Sequence, residues 1–380
     1  MPLIPPLFGW LALALGLAGA LYAQVAAEMV VRFVRQPKPK PRSTPPATLL
    51  KPLSGAEPGL YEALDSFCRQ AYAGPVQLVF GVQDPADPAL PVVERIKAAH
   101  PDLDLTVVVD TAAHGANRKV SNLINMMRAA RHEILVLSDS DMLAPPDYLD
   151  QVVGALQQTG VGLVTCLYAG RAQPGFWSEF AAMAVSYQFL PNAALGLGLG
   201  LAEPAMGSTL AFTAETLAAI GGFESIRDHL ADDFEIGRGV RALGLRIARP
   251  PMVLGHISHE PSLAALMGHE VRWGRTIRLI EGAGYFGSMV TYALPWGLIG
   301  ATLLGFSAVS LALCLAILLS RLILKRRIDA AIGAGAGALW LLPLRDALSF
   351  VVFLVSLTGA SVSWRGRRYR VGPDGVLAPL

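Results

Sequence analysis

Between Leu7 and Val34 the chain is apolar almost without a break; only Gln24, Glu28 and Arg32 interrupt it. A bilayer crossing needs about 20 such residues. A secretory signal has a shorter apolar core, about 7–15 residues, and then a small-residue cleavage site. Here basic residues come next instead: Arg32, Arg35, Lys38, Lys40 and Arg42. The segment reads as an uncleaved anchor, and the positive charge on its C-terminal side places the adjoining domain in the cytoplasm. A second apolar stretch runs from Gly287 to Leu324, punctuated by Pro295, Gly297, Gly300 and Gly305 and closed by Lys325, Arg326 and Arg327. It is longer than one crossing requires and fits either one tilted helix or a tight pair. A third, Ile328–Val362, contains Arg345 and Asp346. Charges at membrane depth are costly unless paired or beside water, so a break or re-entrant turn is expected there. The closing cluster of Arg365, Arg367, Arg368 and Arg370 places the tail in the cytoplasm too.

These segments account for a composition that is 53% hydrophobic and only 16% charged, against about 25% charged in a soluble domain. The net charge of +2 gives no footprint for nucleic acid, and the basic clusters beside apolar runs point to a membrane surface. Cys68, Cys166 and Cys314 are far apart and form no CxxC pair, so neither a zinc site nor a disulfide framework is expected. His114, His229, His256 and His259 fit no helical HxxxH pair either.

The middle of the chain has ordinary soluble patterning. Gln36–Pro46 is a proline-rich, charged linker. Val76–Val82, Leu103–Val109, Ile134–Leu137 and Val161–Leu167 are short β-rich runs. Between them lie apolar residues at helical spacing: Leu60, Leu64, Phe67 and Ala71, then Val120, Leu123, Ile124 and Met127. This alternation predicts an α/β fold with a mostly parallel central sheet covered on both faces. Ligands bind such sheets beyond the carboxyl ends of the strands. The expected organisation is an anchor at 7–34, a cytoplasmic domain at 48–287, a second membrane region at 288–362 and a basic tail at 363–380. Phe176–Leu201, rich in aromatic residues and glycine, fits either a core helix with a loop or a segment in the membrane interface.

The acidic residues fall where such a sheet binds ligands. Ser138-Asp139-Ser140-Asp141 ends an apolar strand. Two carboxylates one residue apart can hold a hard cation, Mg²⁺ or Mn²⁺, whose natural partner is a nucleotide-sugar diphosphate. Taken alone, the same residues also fit a loop whose aspartates cap the next turn. They are not alone: Asp84 follows another strand, Asp232-Asp233 comes later, and then His269-Glu270-Val271-Arg272-Trp273. An Asp-rich helix N-terminus would explain one of Asp232 and Asp233, but not the whole series.

In this order the motifs resemble the ceramide glucosyltransferases, within the wider class of inverting transferases that includes cellulose and hyaluronan synthases. Lys51-Pro52-Leu53, Val82-Gln83-Asp84 with Asp87-Pro88, and Asn117-Arg118-Lys119 extend the likeness. The resemblance implies a GT-A-like nucleotide-sugar-binding domain flanked by transmembrane helices, a UDP-sugar donor, a divalent metal and a lipid acceptor. It implies that Asp84 contacts the uracil or ribose, that Asp139 and Asp141 hold the nucleotide and metal, and that Asp233 is the general base, with Asp232 in support. Arg272 would meet the pyrophosphate, Trp273 would wall the acceptor pocket, and Lys119 would reach a phosphate. His269 departs from the family, which usually has Gln or Arg there, so its place near acceptor and pyrophosphate is left open. A narrower resemblance, to the bacterial hopanoid-biosynthesis branch, is carried by Ser121–Met126, Gly162–Tyr168 and Arg272–Arg278. It implies transfer of N-acetylglucosamine or glucose to a bacteriohopane polyol at the bacterial inner membrane. The competing readings are a ceramide glucosyltransferase, a processive polysaccharide synthase, which usually has more spans, and an inactive membrane scaffold, which would be expected to lack a motif carboxylate.

Overall fold

The computed structural model describes residues 4–359, 361–364, 367–372 and 375–380. The chain forms two compact units: one of residues 36–169, 203–259 and 375–380, the other of residues 1–35, 170–202 and 260–374.

The first unit is built on a seven-stranded sheet. Its strands are β1 (Ala47–Pro52), β2 (Val76–Val82), β3 (Asp104–Val109), β4 (Ile134–Leu137), β6 (Val161–Val164), β8 (Leu210–Thr213) and β9 (Arg246–Ala248). Three short elements complete the numbering: β5 (Met142–Leu143), β7 (Leu167–Ala172) and β10 (Val253–Ser258). The order is β3-β2-β1-β4-β8-β6-β9. β8 alone runs antiparallel to its neighbours β4 and β6, so the sheet is mostly parallel. Adjacent residues of one strand feed opposite cores. Leu49, Phe80 and Val136 pack with Leu64, Phe67, Val93 and Val152 on one face. Leu50, Val79 and Leu137 pack with Val120, Leu123 and Ile236 on the other. Burial on both faces is why these strands are continuous apolar runs rather than alternating ones. The run expected at Val161–Leu167 divides into β6 and β7: Thr165 N–H closes the β6–β9 ladder on Ala248 O at 3.0 Å, while its hydroxyl donates to Met206 O at 3.2 Å.

The chain lays down β1, β2 and β3 in one direction across the sheet, then returns to place β4 on the other side of β1. The carboxyl ends of β1 and β4 therefore flank the switch point where such sheets hold ligands.

The second unit is helical. Among the described residues, three helices are long and apolar enough to cross a membrane: Pro6–Val34, Ala308–Ile332 and Leu339–Ser356. The stretch from Gly287 to Leu324 is a pair rather than one tilted helix: a shorter helix, Ala293–Leu303, precedes Ala308–Ile332. Gly300 lets the shorter helix close on the first, since a Cβ there would lie 2.7 Å from Leu13 and 2.8 Å from Gly9 O.

Two expectations are corrected. Lys325, Arg326 and Arg327 do not end their helix, which continues to Ile332 and is terminated by Gly333 in the left-handed conformation at φ 66°. Lys325 needs no exit to water, because its ammonium reaches Tyr187 Oη at 2.6 Å and Asp329 at 2.9 Å. Nor do Arg345 and Asp346 break theirs. Helix Leu342–Ser356 runs through both, and each is paired with a residue of another helix.

Phe176–Leu201 forms a helix in three parts: Phe176–Ala184, a π turn at Val185–Phe189, and Leu190–Gly198. Phe180, Met183, Tyr187 and Leu190 are buried, whereas Phe176, Leu199 and Leu201 are exposed. Of the basic tail, Arg365 lies outside the described residues, while Ser361–Trp364 and Arg367–Val371 pair as an antiparallel hairpin.

Candidate active site

The site in the first unit is assembled from the ends of β1 and β4. Ser138 N–H donates to Leu50 O at 3.2 Å, which continues the β1–β4 ladder into the Asp139–Asp141 loop. Beneath this loop Lys51 is fully buried. Its ammonium lies 3.3 Å from the Phe67 ring centre and donates to Asp139 O at 2.7 Å and Ser138 Oγ at 3.1 Å. Burial brings the Lys51 pKa down to about 7, against the pull of Asp141 and Asp139.

Gly207 then ties the loop to the other acidic pair. Its carbonyl accepts from Asp139 N–H at 3.1 Å, and its own N–H donates to Asp233 Oδ2 at 2.9 Å. Asp232 and Asp233 open the helix Asp232–Ala242, where carboxylates are favoured by the helix dipole, and Phe234 N–H donates to Asp233 Oδ1 at 2.8 Å. Lys119, in the first turn of helix Arg118–Met127, stands between the pairs, 2.7 Å from Asp139 Oδ1 and 2.9 Å from Asp232 Oδ2. The Asp232 contact is an ion pair without hydrogen-bond alignment. Burial alone would lower the Lys119 pKa, but Asp139, Asp232 and Asp233 outweigh it and hold the ammonium charged. Asp233 moves the other way. Burial and then the charge of Asp232 push it up to about 6, despite Lys119.

Asp141 faces a different neighbour. β10 pairs with β5 so that His256 lies opposite Met142, and this register brings His256 Nε2 to 3.3 Å from Asp141 Oδ2. Burial opposes ionisation of Asp141, but His256 and Lys51 prevail and keep its pKa low. Asp139, by contrast, is raised by burial and by Asp141 and Asp232, in spite of Lys119. The second Asp141 oxygen, Oδ1, is buried with no hydrogen-bond donor. A buried, ionised carboxylate oxygen without a partner is costly and suits a hard cation. Among the described residues no three His, Cys, Asp or Glu side chains form a metal cage. A cation here would take further oxygens from a bound diphosphate and water, as Mg²⁺ sites commonly do.

Asp84 is exposed just beyond β2 and accepts from Ala86 N–H at 2.8 Å. Asp139, Asp141, Asp232, Asp233 and Lys119 are thus brought together, and Asp84 stands at the end of the strand next to β1. His269, Arg272 and Trp273 belong to helix Leu263–Ile280 of the second unit. There His269 Nδ1 is 2.8 Å from Glu260 Oε1, and its ring lies edge-on to Trp273 with centres 4.3 Å apart.

The sequence pattern of glycosyl transferase family 21 matches residues 11–377. The chain belongs to this family. Its relatives include ceramide glucosyltransferases at modest identity. Ceramide glucosyltransferase 1 of Caenorhabditis elegans is 26% identical over 257 residues, 66% of this chain and 53% of that protein. The ceramide glucosyltransferase of Candida albicans is 29% identical over 120 residues, 29% of this chain and 22% of that protein. The family 21 chain thus spans about half the length, or less, of these relatives. Among solved structures, a mannosyltransferase from Pyrobaculum calidifontis in complex with GDP-Man and Mn²⁺ has a TM-score of 0.51 at 22% identity, covering 92% of this chain and 97% of that one. This likeness shows the fold, a GT-A-like arrangement around a mostly parallel sheet.

Lys51, Gly207 and His256 were not singled out as site residues by the sequence. A lysine closing a buried strand is itself a signal, because lysine is almost never fully buried without a partner. His256 was weighed only as a zinc ligand, and its pairing with Asp141 follows from strand register. Nothing in the sequence marked Gly207.

Proposed function

We propose that the chain transfers one sugar from a UDP-sugar to a hydroxyl of a membrane lipid, with inversion at the anomeric carbon. The observation that carries this reading is Asp233, held by two backbone N–H groups beside the Asp139–Asp141 loop with its pKa pushed up to about 6. A general base works best with a pKa near the operating pH. Asp233 removes the proton of the acceptor hydroxyl as that oxygen attacks the anomeric carbon; the bond from that carbon to the diphosphate oxygen breaks, and UDP departs. Asp139 and Asp141 would hold Mg²⁺ or Mn²⁺, which supplies charge to offset that developing on the leaving diphosphate. Lys119 keeps Asp139 and Asp232 in place while adding positive charge at the same edge, and Asp84 contacts the nucleoside. Motif order alone assigns Arg272 to the pyrophosphate, by bidentate contact, and Trp273 to the acceptor. His269 supports the acceptor end.

For the acceptor we propose a bacteriohopane polyol, on the resemblance carried by Ser121–Met126, Gly162–Tyr168 and Arg272–Arg278. The named relatives favour ceramide as the second reading. In keeping with this, residues 48–287 form the working part on the cytoplasmic face of a bacterial inner membrane, with anchors at 7–34 and 288–362. Membranes containing the protein, incubated with labelled UDP-sugars and with hopanoid or ceramide extracts, should yield one labelled glycolipid identifiable by mass spectrometry. EDTA should abolish the transfer, and Asp141→Ala should do the same. A labelled polymer would replace single transfer with processive synthesis, and no labelled product from any donor would overturn the reading.

A further inference from the structure

The helix that carries His269, Arg272 and Trp273 is gripped through the residue between them. Arg345 binds Glu270 with its planar fork, Nη1 to Oε1 at 3.0 Å and Nη2 to Oε2 at 2.6 Å. Arg345 is only 2% exposed. Its remaining donors are used as well: Nε and Nη2 reach Ser349 Oγ at 3.1 and 3.0 Å, and Nη1 reaches Phe180 O at 3.3 Å. The next residue, Asp346, accepts from Nε and Nη2 of Arg321, both at 2.8 Å. Two consecutive residues of one apolar helix therefore make bidentate pairs with two other helices, Leu263–Ile280 and Ala308–Ile332.

Stability alone does not call for this arrangement. Well-packed apolar residues of similar volume generally serve as well as a buried ion pair, or better. What a bidentate pair adds is geometry: two parallel N–H···O bonds fix both distance and direction. At 3.6 residues per turn, positions 270 and 272 lie about 200° apart around the helix. A hold on Glu270 therefore sets the rotation at which Arg272 is presented on the far side without occupying that side.

We propose that Arg345 is a positioning residue: through Glu270 it fixes the rotation and depth of the helix that carries Arg272. This rests on the reading of Arg272 as the partner of the leaving pyrophosphate. A misplacement of about 1 Å at such a group can cost about 10²-fold in rate.

The test is a double-mutant cycle on the full-length protein in membranes. The paired variant Arg345→Met with Glu270→Leu removes both charges and preserves packing. It should keep the parent unfolding temperature and donor KM, and lose about 10²-fold in kcat. Arg272→Ala should lose kcat on its own, and adding it to the paired variant should cost little more, because the two act through one interaction. A folded paired variant with the parent kcat overturns the proposal, as does a loss that adds in full to that of Arg272→Ala. If the paired variant fails to fold, Arg345→Lys decides. It keeps the charge but not the fork, so it should lower kcat without moving donor KM, and the parent kcat would overturn the proposal. Should Arg272→Ala itself turn over at the parent rate, the pyrophosphate role of Arg272 has failed, which is a result distinct from additivity.

Discussion

At Gly207 a residue with no side chain touches both halves of the site. Its carbonyl receives Asp139 N–H and its N–H serves Asp233, while a Cβ would collide with Asp139 Oδ2. Gly207→Ala should therefore displace the Asp139 carboxylate and loosen Asp233, the proposed base, together, lowering kcat/KM by about 10²-fold, the cost of a misplacement near 1 Å. Steady-state kinetics on a variant with unchanged melting behaviour would measure it, and parent activity would remove Gly207 from the site. Asp233 gives a sharper expectation. Asparagine keeps the shape and can still accept from one of Gly207 and Phe234, but its NH2 cannot accept from the other and it takes no proton, so Asp233→Asn should lose about 10²–10⁴-fold in transfer while binding UDP normally. Only the deprotonated carboxylate acts as base, and burial with Asp232 raises its pKa to about 6. The kcat/KM profile should therefore be flat above that value and fall as the pH drops through it. Loss of UDP binding in Asp233→Asn would make Asp233 a donor ligand instead, and return the base to Asp232 or His269.

Among the elements, the strands of the sheet were the most legible part of the chain. β2 and β4 have the expected limits, because a strand buried on both faces leaves an unbroken apolar word bounded by polar turns. The place of Asp139 and Asp141 just past a strand end could be read for the related reason that two acids one residue apart at the end of such a word have no packing role. What was not legible depends on contacts across long separations. Arg345 looked like a break because its partner, Glu270, is 75 positions away, and Lys119 looked available to a phosphate because nothing local shows that Asp139 and Asp232 flank it. Its helix is fixed by Asn117, a buried N-cap whose side chain accepts from Val120 N–H at 3.1 Å and donates to His229 O at 2.8 Å. Asn117→Ala removes both bonds. It should destabilise the protein by about 1–2 kcal/mol, seen as a lowered unfolding temperature, and it should reduce transfer by releasing Lys119. An unchanged melting curve would show that the cap contributes nothing.

For the molecule as a whole, chain connectivity limits how many times it crosses a membrane. Residues 375–380 belong to the sheet unit. Leu230 N–H donates to Gly375 O at 3.0 Å, Leu377 N–H donates to Asp228 O at 2.8 Å, and His229 bridges Val376. A chain that leaves this unit at His259 and returns at Gly375 must cross a bilayer an even number of times between them. Ala308–Ile332 and Leu339–Ser356, the two helices described in this interval that are long and apolar enough to span, satisfy this if both cross. Arg42 and Arg370 are then expected on one side, and we propose from the excess of positive charge after the first helix that this side is cytoplasmic. Both residues are exposed, so single-cysteine variants can be read directly once Cys68, Cys166 and Cys314 are replaced. In intact cells a membrane-impermeant thiol reagent should label neither Arg42→Cys nor Arg370→Cys, and after permeabilisation it should label both. Labelling of Arg370→Cys alone in intact cells would require an odd number of crossings, which the strand bridge at His229 and Val376 forbids. That outcome would overturn both the orientation and the placement of the last six residues.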